Sequence, residues 1–384
     1  MALGGCQSMP SWMPSLPTIP PPSLSWIGLG RDTHKPGPLP TYTAKVTPKV
    51  DWQVALGAKG GESFSPAIGP DVIYAAAPDG TIVSVDRATG RQNWRVKADK
   101  PLSAGVGAST TVVAVGTAKG DVLAFDSAGK PLWSVKVSTE IAGPPEYAEG
   151  KIIVWALDGR IYALSEADGS QKWLYQRTLP ALTVRRFAGG TVSRGALFTG
   201  TAGGKLLAID LNTGLLGWDA SVATPKGATE LERIADVTSA PVVEAKQVCA
   251  AAFQGRVACF EVVRGTLIWS RDFSSLGGIA VDSRYLYVTD DKGSILALDK
   301  TTGASIWKQD VLGPRFPSGP VLVGDTVGVV DAEGYLHLLD PNDGNLIGRV
   351  ATDGSAALSQ PESAGSAAVW QSANGTLISA SVPR

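Results

Sequence analysis

One phrase opens eight times along this chain. A glycine in a short turn is followed by an alternating apolar run that ends on an acidic or polar residue, then by a second glycine turn, then by a tryptophan. The first copy reads Asp79-Gly80, Ile82, Val85-Asp86, Thr89-Gly90 and Trp94, and the second Lys119-Gly120, Val122, Phe125-Asp126, Gly129 and Trp133. Later copies open at Gly159, Gly204, Gly255, Gly293, Gly334 and Gly375, so successive steps are 40, 39, 45, 51, 38, 41 and 41 residues. A period of about 40 to 45 residues with β-type alternation is that of a four-stranded propeller blade. In the first copy the alternation predicts an inner strand over 65–68, a second over 72–76, a third over 81–86 and an outer one over 92–96, joined by turns whose glycines supply positive φ.

Tryptophans at 52, 94, 133, 173, 218, 269 and 307 occupy one repeat position, and seven equivalent copies point to a wedge between blades rather than to a single stacking site. Trp52 precedes any complete copy, whereas the last copy, residues 369–381, has strands but no terminal tryptophan. The economical closure adds residues 50–56 as outer strand to the carboxyl-terminal blade. The expected fold is therefore all-β, an eight-bladed propeller of four-stranded antiparallel blades over residues 50–384, with no free end to aggregate. The seventh copy has Gly348 where its tryptophan belongs, which predicts a looser interface at that blade.

Before the repeats, residues 7–49 are crowded with proline, a composition suited to an extended tether. Residues 1–6 end in Leu3-Gly4-Gly5-Cys6, similar to a bacterial lipobox, and read as the remnant of a lipoprotein signal with Cys6 as the acylated residue. The formal charge of -1, from 34 basic and 35 acidic residues, gives no field that would recruit nucleic acid. Cys249 and Cys259 flank the turn at Gln254-Gly255. If that hairpin pairs symmetrically they stand opposite one another and a cross-strand disulfide is expected, the alternative being two buried thiols.

Chemistry is sparse. His34 and His337 lack the neighbours that zinc or a nucleophilic triad requires, so no catalytic or metal residue is assigned and no cofactor is expected. The aspartates at 86, 126, 210, 299 and 340 share one repeat position and read as turn-stabilising residues. The two longest steps are more informative. Their extra residues fall in 177–191 and 220–239, which connect outer to inner strands of consecutive blades and so emerge side by side on one face. The first carries Leu182, Val184, Arg185, Arg186 and Phe187, the second Glu230, Glu232, Arg233 and Asp236. Apolar anchors with charges on exposed loops suit a protein partner, against the alternative of solvated variable loops.

At these loops the chain resembles the BamB family, propeller lipoproteins of the outer-membrane β-barrel assembly machinery. Residues 227–237, Gly-Ala-Thr-Glu-Leu-Glu-Arg-Ile-Ala-Asp-Val, look like that family's G-(S/A)-T-E segment, and residues 331–337, Asp-Ala-Glu-Gly-Tyr-Leu-His, like its D-x-E-G-Y-L-H segment. The resemblance implies a non-catalytic scaffold that docks on the periplasmic POTRA domains of BamA beside other subunits of the complex. It also implies a lipid anchor in the outer membrane, facing the periplasm, and contact with unfolded outer-membrane clients. The family's L-x-L-R contact segment corresponds to Leu182-Thr183-Val184-Arg185, and its D-V-D segment to Asp236-Val237-Thr238, where Thr238 replaces an acid. Two alternatives stand beside this one: a periplasmic scaffold with another partner, and a quinoprotein dehydrogenase, whose family calls for vicinal cysteines absent here.

Overall fold

The computed structural model describes residues 35–184 and 189–383. Cys6, His34, Arg185, Arg186 and Phe187 lie outside the described residues. From Gly37 onward the chain forms one compact unit of eight four-stranded antiparallel sheets. Blade 1 comprises Ala67–Ile68, Val72–Ala76, Thr81–Asp86 and Gln92–Lys97, close to the spans expected from alternation. Blade 8 is built from Glu362–Ser363, Ala367–Gln371 and Thr376–Ser381, and Lys49–Ala55 completes it as outer strand, with Trp52 opposite Ser379.

The apolar core is a set of slabs between neighbouring blades. Phe198, Leu206 and Ala208 of blade 4, for example, pack on Val248, Ala250 and Ala258 of blade 5. In blade 5 the ladder sets Cys249 opposite Cys259, and the two are joined in a disulfide with Cα atoms 4.0 Å apart.

The coupling of tryptophan and glycine in the repeat has a physical cause. Each outer-strand indole lies on the positive-φ glycine in the third-to-outer turn of the next blade. A Cβ on Gly90 would fall 2.5 Å from Trp52, one on Gly265 2.6 Å from Trp218, and one on Gly303 2.4 Å from Trp269. The indole N–H donates to a carbonyl of the same turn: Trp52 to Arg87 at 3.0 Å, Trp94 to Ser127 at 2.8 Å and Trp307 to Pro341 at 2.8 Å. Glycine is thus required twice at this place, for its φ and for the ring above it. The repeated aspartates hold the same turns, as where Asp86 Oδ1 accepts from the Thr89 amide at 2.8 Å and its hydroxyl at 2.6 Å.

That lock explains Gly348. Blade 8 takes its outer strand from the amino-terminal side of the chain, so it has no third-to-outer turn on which a blade 7 tryptophan could rest. The incoming chain takes the indole's place. Lys45 and Val46 amides donate to the Ile347 carbonyl at 2.8 and 3.1 Å, and a Cβ on Gly348 would stand 2.8 Å from the Val46 carbonyl oxygen and 3.0 Å from Pro48. Val46 packs with Ile347, and the Arg349 guanidinium lies over Tyr42 and donates to the Pro40 carbonyl at 3.0 Å. The expected looseness at this blade is therefore corrected: residues 37–48 form a strap along its outer edge. The tether's described part, read from sequence as a spacer to residue 49, is structured for the same reason.

The strap is pinned at Gly37 by a buried charge cluster. Gly37 donates to the Pro314 carbonyl at 3.0 Å and accepts from Arg315. Arg315, fully buried, donates to Asp331 at 2.6 Å and to Glu333 at 2.6 Å, and His337 Nε2 meets Asp331 at 2.8 Å. Burial would raise the Asp331 carboxyl, but the bonds from His337, the Tyr335 amide and Arg315 together hold it below its ordinary value. Burial pushes His337 down against the pull of Asp331 and favours the neutral ring, whose buried Nδ1 finds no hydrogen-bond partner among the described residues. The D-x-E-G-Y-L-H segment thus serves to anchor the chain's entry into the ring.

Candidate protein-docking face

All outer-to-inner connectors leave the outer end of one blade and enter the next on the same side of the disc, where the second-to-third turns also lie. The two long connectors, 177–191 from blade 3 to 4 and 220–239 from blade 4 to 5, are tied together there by one side chain. Asp236 Oδ2 accepts from the Val184 amide at 2.7 Å, and its Oδ1 accepts from the Gly203 amide in the blade 4 turn at 2.9 Å. The carboxylate is only 3% exposed. Burial pushes it up, opposed by those two amides. Asp236 therefore sets the position of the first connector from within, rather than offering its charge to solvent. Thr238, the residue in place of the family's acid, is likewise buried, and its hydroxyl donates to the Ser275 carbonyl at 2.8 Å.

Two leucines reach solvent among the polar residues of these connectors. Leu182 is 43% exposed on the first connector, with Val184 half-buried beneath it. On the second, residues 224–233 are exposed and Leu231 stands at the tip, 42% exposed. This tip is held by a capping box. The Glu232 amide donates to Thr229 Oγ1 at 3.3 Å, and the Glu232 carboxylate accepts from the Ala228 and Thr229 amides at 2.7 and 3.1 Å. The Arg233 guanidinium donates to the Gly227 carbonyl at 3.0 Å and to Glu230 at 3.1 Å. A Cβ on Gly227 would meet Glu232 at 2.3 Å, so the G-A-T-E-L-E-R run encodes a closed turn that presents Leu231.

Leu231 was not singled out by sequence reasoning, although its signal was present in the Thr229-x-x-Glu232 spacing. Of the expected contact residues, Leu182 is on the surface, Val184 is half-buried and held by Asp236 from inside, Thr238 is buried against Ser275, and Arg185 lies outside the described residues. Beneath the first connector, between blades 3 and 4, a cavity of about 120 Å³ is floored by Trp155, Ile161, Leu207 and Val237.

The central channel has a different character. Its lining includes Glu146 and Glu362, and burial pushes both up to about 7, the charge of Glu362 adding to the effect at Glu146. Glu362 nevertheless remains water-accessible inside the channel. Among the described residues, no group of three or more His, Cys, Asp or Glu side chains is placed to hold a metal ion.

Comparison with known proteins agrees with this architecture. The family model described as outer membrane protein assembly factor BamB matches residues 78–309 and 291–382. The factor of that name from Bordetella pertussis is 38% identical over 348 residues, covering 90% of each chain. That from Nitrosomonas eutropha is 42% identical over 312 residues, 81% of this chain and 76% of the relative. Among solved structures, BamB from Moraxella catarrhalis superposes with a TM-score of 0.80 at 24% identity, over 87% of this chain and all of that one. A quinohemoprotein alcohol dehydrogenase from Pseudomonas putida reaches 0.69 at 12% identity, over 89% of this chain and 78% of the other, which is a likeness of fold alone.

Proposed function

The chain belongs to the BamB family of outer membrane protein assembly factors, and from that premise we propose that it docks on BamA through the face bearing its two long connectors. In this reading it is a non-catalytic subunit of the assembly complex, and its rigid ring presents the exposed Leu182 and Leu231 of its two long connectors to the periplasmic POTRA domains. Acylation at Cys6 and a Pro-rich spacer would hold the ring at the outer membrane, on its periplasmic side.

The observation that carries the docking assignment is the Asp236 carboxylate. It joins amides of both the first connector and the blade 4 turn, so two loops with no covalent reason to cooperate present one surface. A fixed surface loses less conformational freedom on association than two mobile loops would. Exposed leucines over a preorganised base suit the apolar core of an interface, and Arg185 would add a residue type that often dominates binding energy.

Leu182→Asp combined with Leu231→Asp should reduce co-purification of BamA at least tenfold while the ring melts as before. Asp236→Ala should reduce it too, by freeing Val184, with Leu182 itself unchanged. Undiminished recovery of BamA by the double variant would overturn the assignment.

A further inference from the structure

In every complete blade the outer strand begins with a β-bulge. The residue before the bulge pairs with the third strand, the bulged residue is skipped, and the tryptophan position pairs next. In blade 7, Leu339 faces Leu346, Ile347 is skipped and Leu338 faces Gly348. In blade 5, Phe260 faces Leu267, Ile268 is skipped and Cys259 faces Trp269. Leu346-Ile347 and Leu267-Ile268 are therefore the same pair at the same place.

Their surroundings differ in two respects: the next paired residue is Trp269 on blade 5 and Gly348 on blade 7, and only blade 7 is covered by the strap. Leu346 and Ile347 are 8% and 5% exposed because the strap covers them, Tyr42 packing with the first and Val46 with the second. Leu267 and Ile268 are 48% and 44% exposed, and Val263 beside them is 70% exposed. They line a surface groove of about 490 Å³ with Glu261, Arg264 and Thr266. At the same position blade 1 carries Gln92-Asn93 and blade 3 Gln171-Lys172, polar pairs suited to an edge that stays wet. Single apolar residues are exposed near the same position on other blades, Leu132 on blade 2 at 48%, Leu216 on blade 4 at 43% and Ile306 on blade 6 at 42%. Only blade 5 joins a Leu-Ile pair to an exposed Val263 in one groove.

We propose that the outer edge of blade 5, at Leu267-Ile268, is a binding site for an extended peptide segment with alternating apolar side chains. The segment would add in trans as the strap adds in cis on blade 7. On blade 7 the strap shows what this edge accepts: consecutive backbone N–H groups donating to the carbonyl of the bulged residue, and an apolar side chain over the Leu-Ile pair. The fourth strand of blade 5, Leu267–Asp272, pairs with the third strand on one side, and among the described residues no strand lies along its other edge. Trp269 already fills the place that Val46 takes on blade 7. The added segment therefore runs outside the indole, along Leu267, Ile268 and Val263. Backbone bonding of this kind tolerates varied sequence and selects for an extended chain with apolar alternation. That is the chemistry of a barrel strand before it has paired, and only this naming of the occupant rests on the assembly-factor reading.

The probe is a fluorescein-labelled ten-residue peptide of alternating valine and threonine, tested on the full chain by anisotropy. Two controls accompany it: the same composition in two blocks, and the alternating peptide with its backbone nitrogens methylated on one edge. Replacing Leu267→Gln with Ile268→Asn grafts blade 1's own pair and should weaken binding at least tenfold, with methylation giving a similar loss. Hydrogen exchange on the unmodified protein supplies a readout that needs no variant: the peptide should slow exchange across residues 266–271. Absence of binding at millimolar peptide, binding indifferent to both the graft and methylation, or unchanged exchange at 266–271 would each overturn the proposal. The graft lies at the turn side of the rim, away from the two connectors, so it should leave BamA co-purification intact. A failure of the docking reading would instead appear only in the Leu182 and Leu231 variants.

Discussion

Replacing Gly348 by leucine puts a side chain where the strap now runs. The new Cβ would lie 2.8 Å from the Val46 carbonyl oxygen, 2.9 Å from Val46 Cγ2 and 3.0 Å from Pro48 Cδ, and the rest of the leucine would need still more room. Overfilling a packed site costs about 1–3 kcal/mol. The strap can avoid that cost by lifting. Lifting gives up the two amide bonds to Ile347, each worth about 1 kcal/mol net, the cover over Leu346 and Ile347, and the exposed Lys45–Asp340 pair at 3.0 Å, worth under about 1 kcal/mol. It returns roughly 1–2 kcal/mol of backbone freedom per released residue, so the balance holding the strap down is small and 1–3 kcal/mol of strain should tip it. The opened population would rise by about 5- to 150-fold. Trypsin cleavage after Lys45, followed by intact mass at low protease, reads that population directly. Accelerated cleavage at Lys45, with the ring itself still melting cooperatively, is the expected result. Cleavage at the unmodified rate, with unchanged stability, would refute the account of why blade 7 lacks its tryptophan.

Two further perturbations probe the interior. Arg315→Met leaves Asp331 buried beside His337 without its cation and should destabilise the ring by about 3–5 kcal/mol in urea unfolding, loosening the strap at Gly37 as well. Glu146→Gln tests the channel. Its carboxyl, raised from 4.5 to about 7 by burial and then by Glu362, holds its proton in the folded state where the unfolded chain has lost it. The unmodified protein should therefore gain stability as pH falls from about 7 toward 4.5, and the glutamine variant should lose that slope, being more stable at pH 8 by on the order of 2 kcal/mol after allowance for channel water and nearly equal at pH 5. Parallel melting curves for the two proteins across that range check it.

The ring, the blade boundaries and the closing strand were legible because they rest on local periodicity: a hairpin turn and an alternating strand are written in consecutive residues. The opposition of Cys249 and Cys259 was legible for the same reason, since a symmetric hairpin fixes its own register. Contacts made between distant segments were not. Gly348 announced a missing tryptophan, yet only the closed ring shows that blade 8 lacks the turn which would receive it. Asp236 looked like a surface acid because its two amide donors lie 33 and 52 residues away, and nothing local marks it for burial. Arg315 likewise sits in an unremarkable connector whose importance comes from Asp331 and Gly37. The long connectors were found by counting, but which of their residues face outward depends on the capping box and on Asp236.

Site-specific photocrosslinking in cells tests the docking face most directly. A photoreactive amino acid at Leu182 or Leu231 should crosslink to BamA, whereas one at Thr89, in a third-to-outer turn on the opposite side of the disc, should not. Crosslinks to BamA from Thr89, with none from either leucine, would contradict the assignment of the connector-bearing face as the surface that holds the partner.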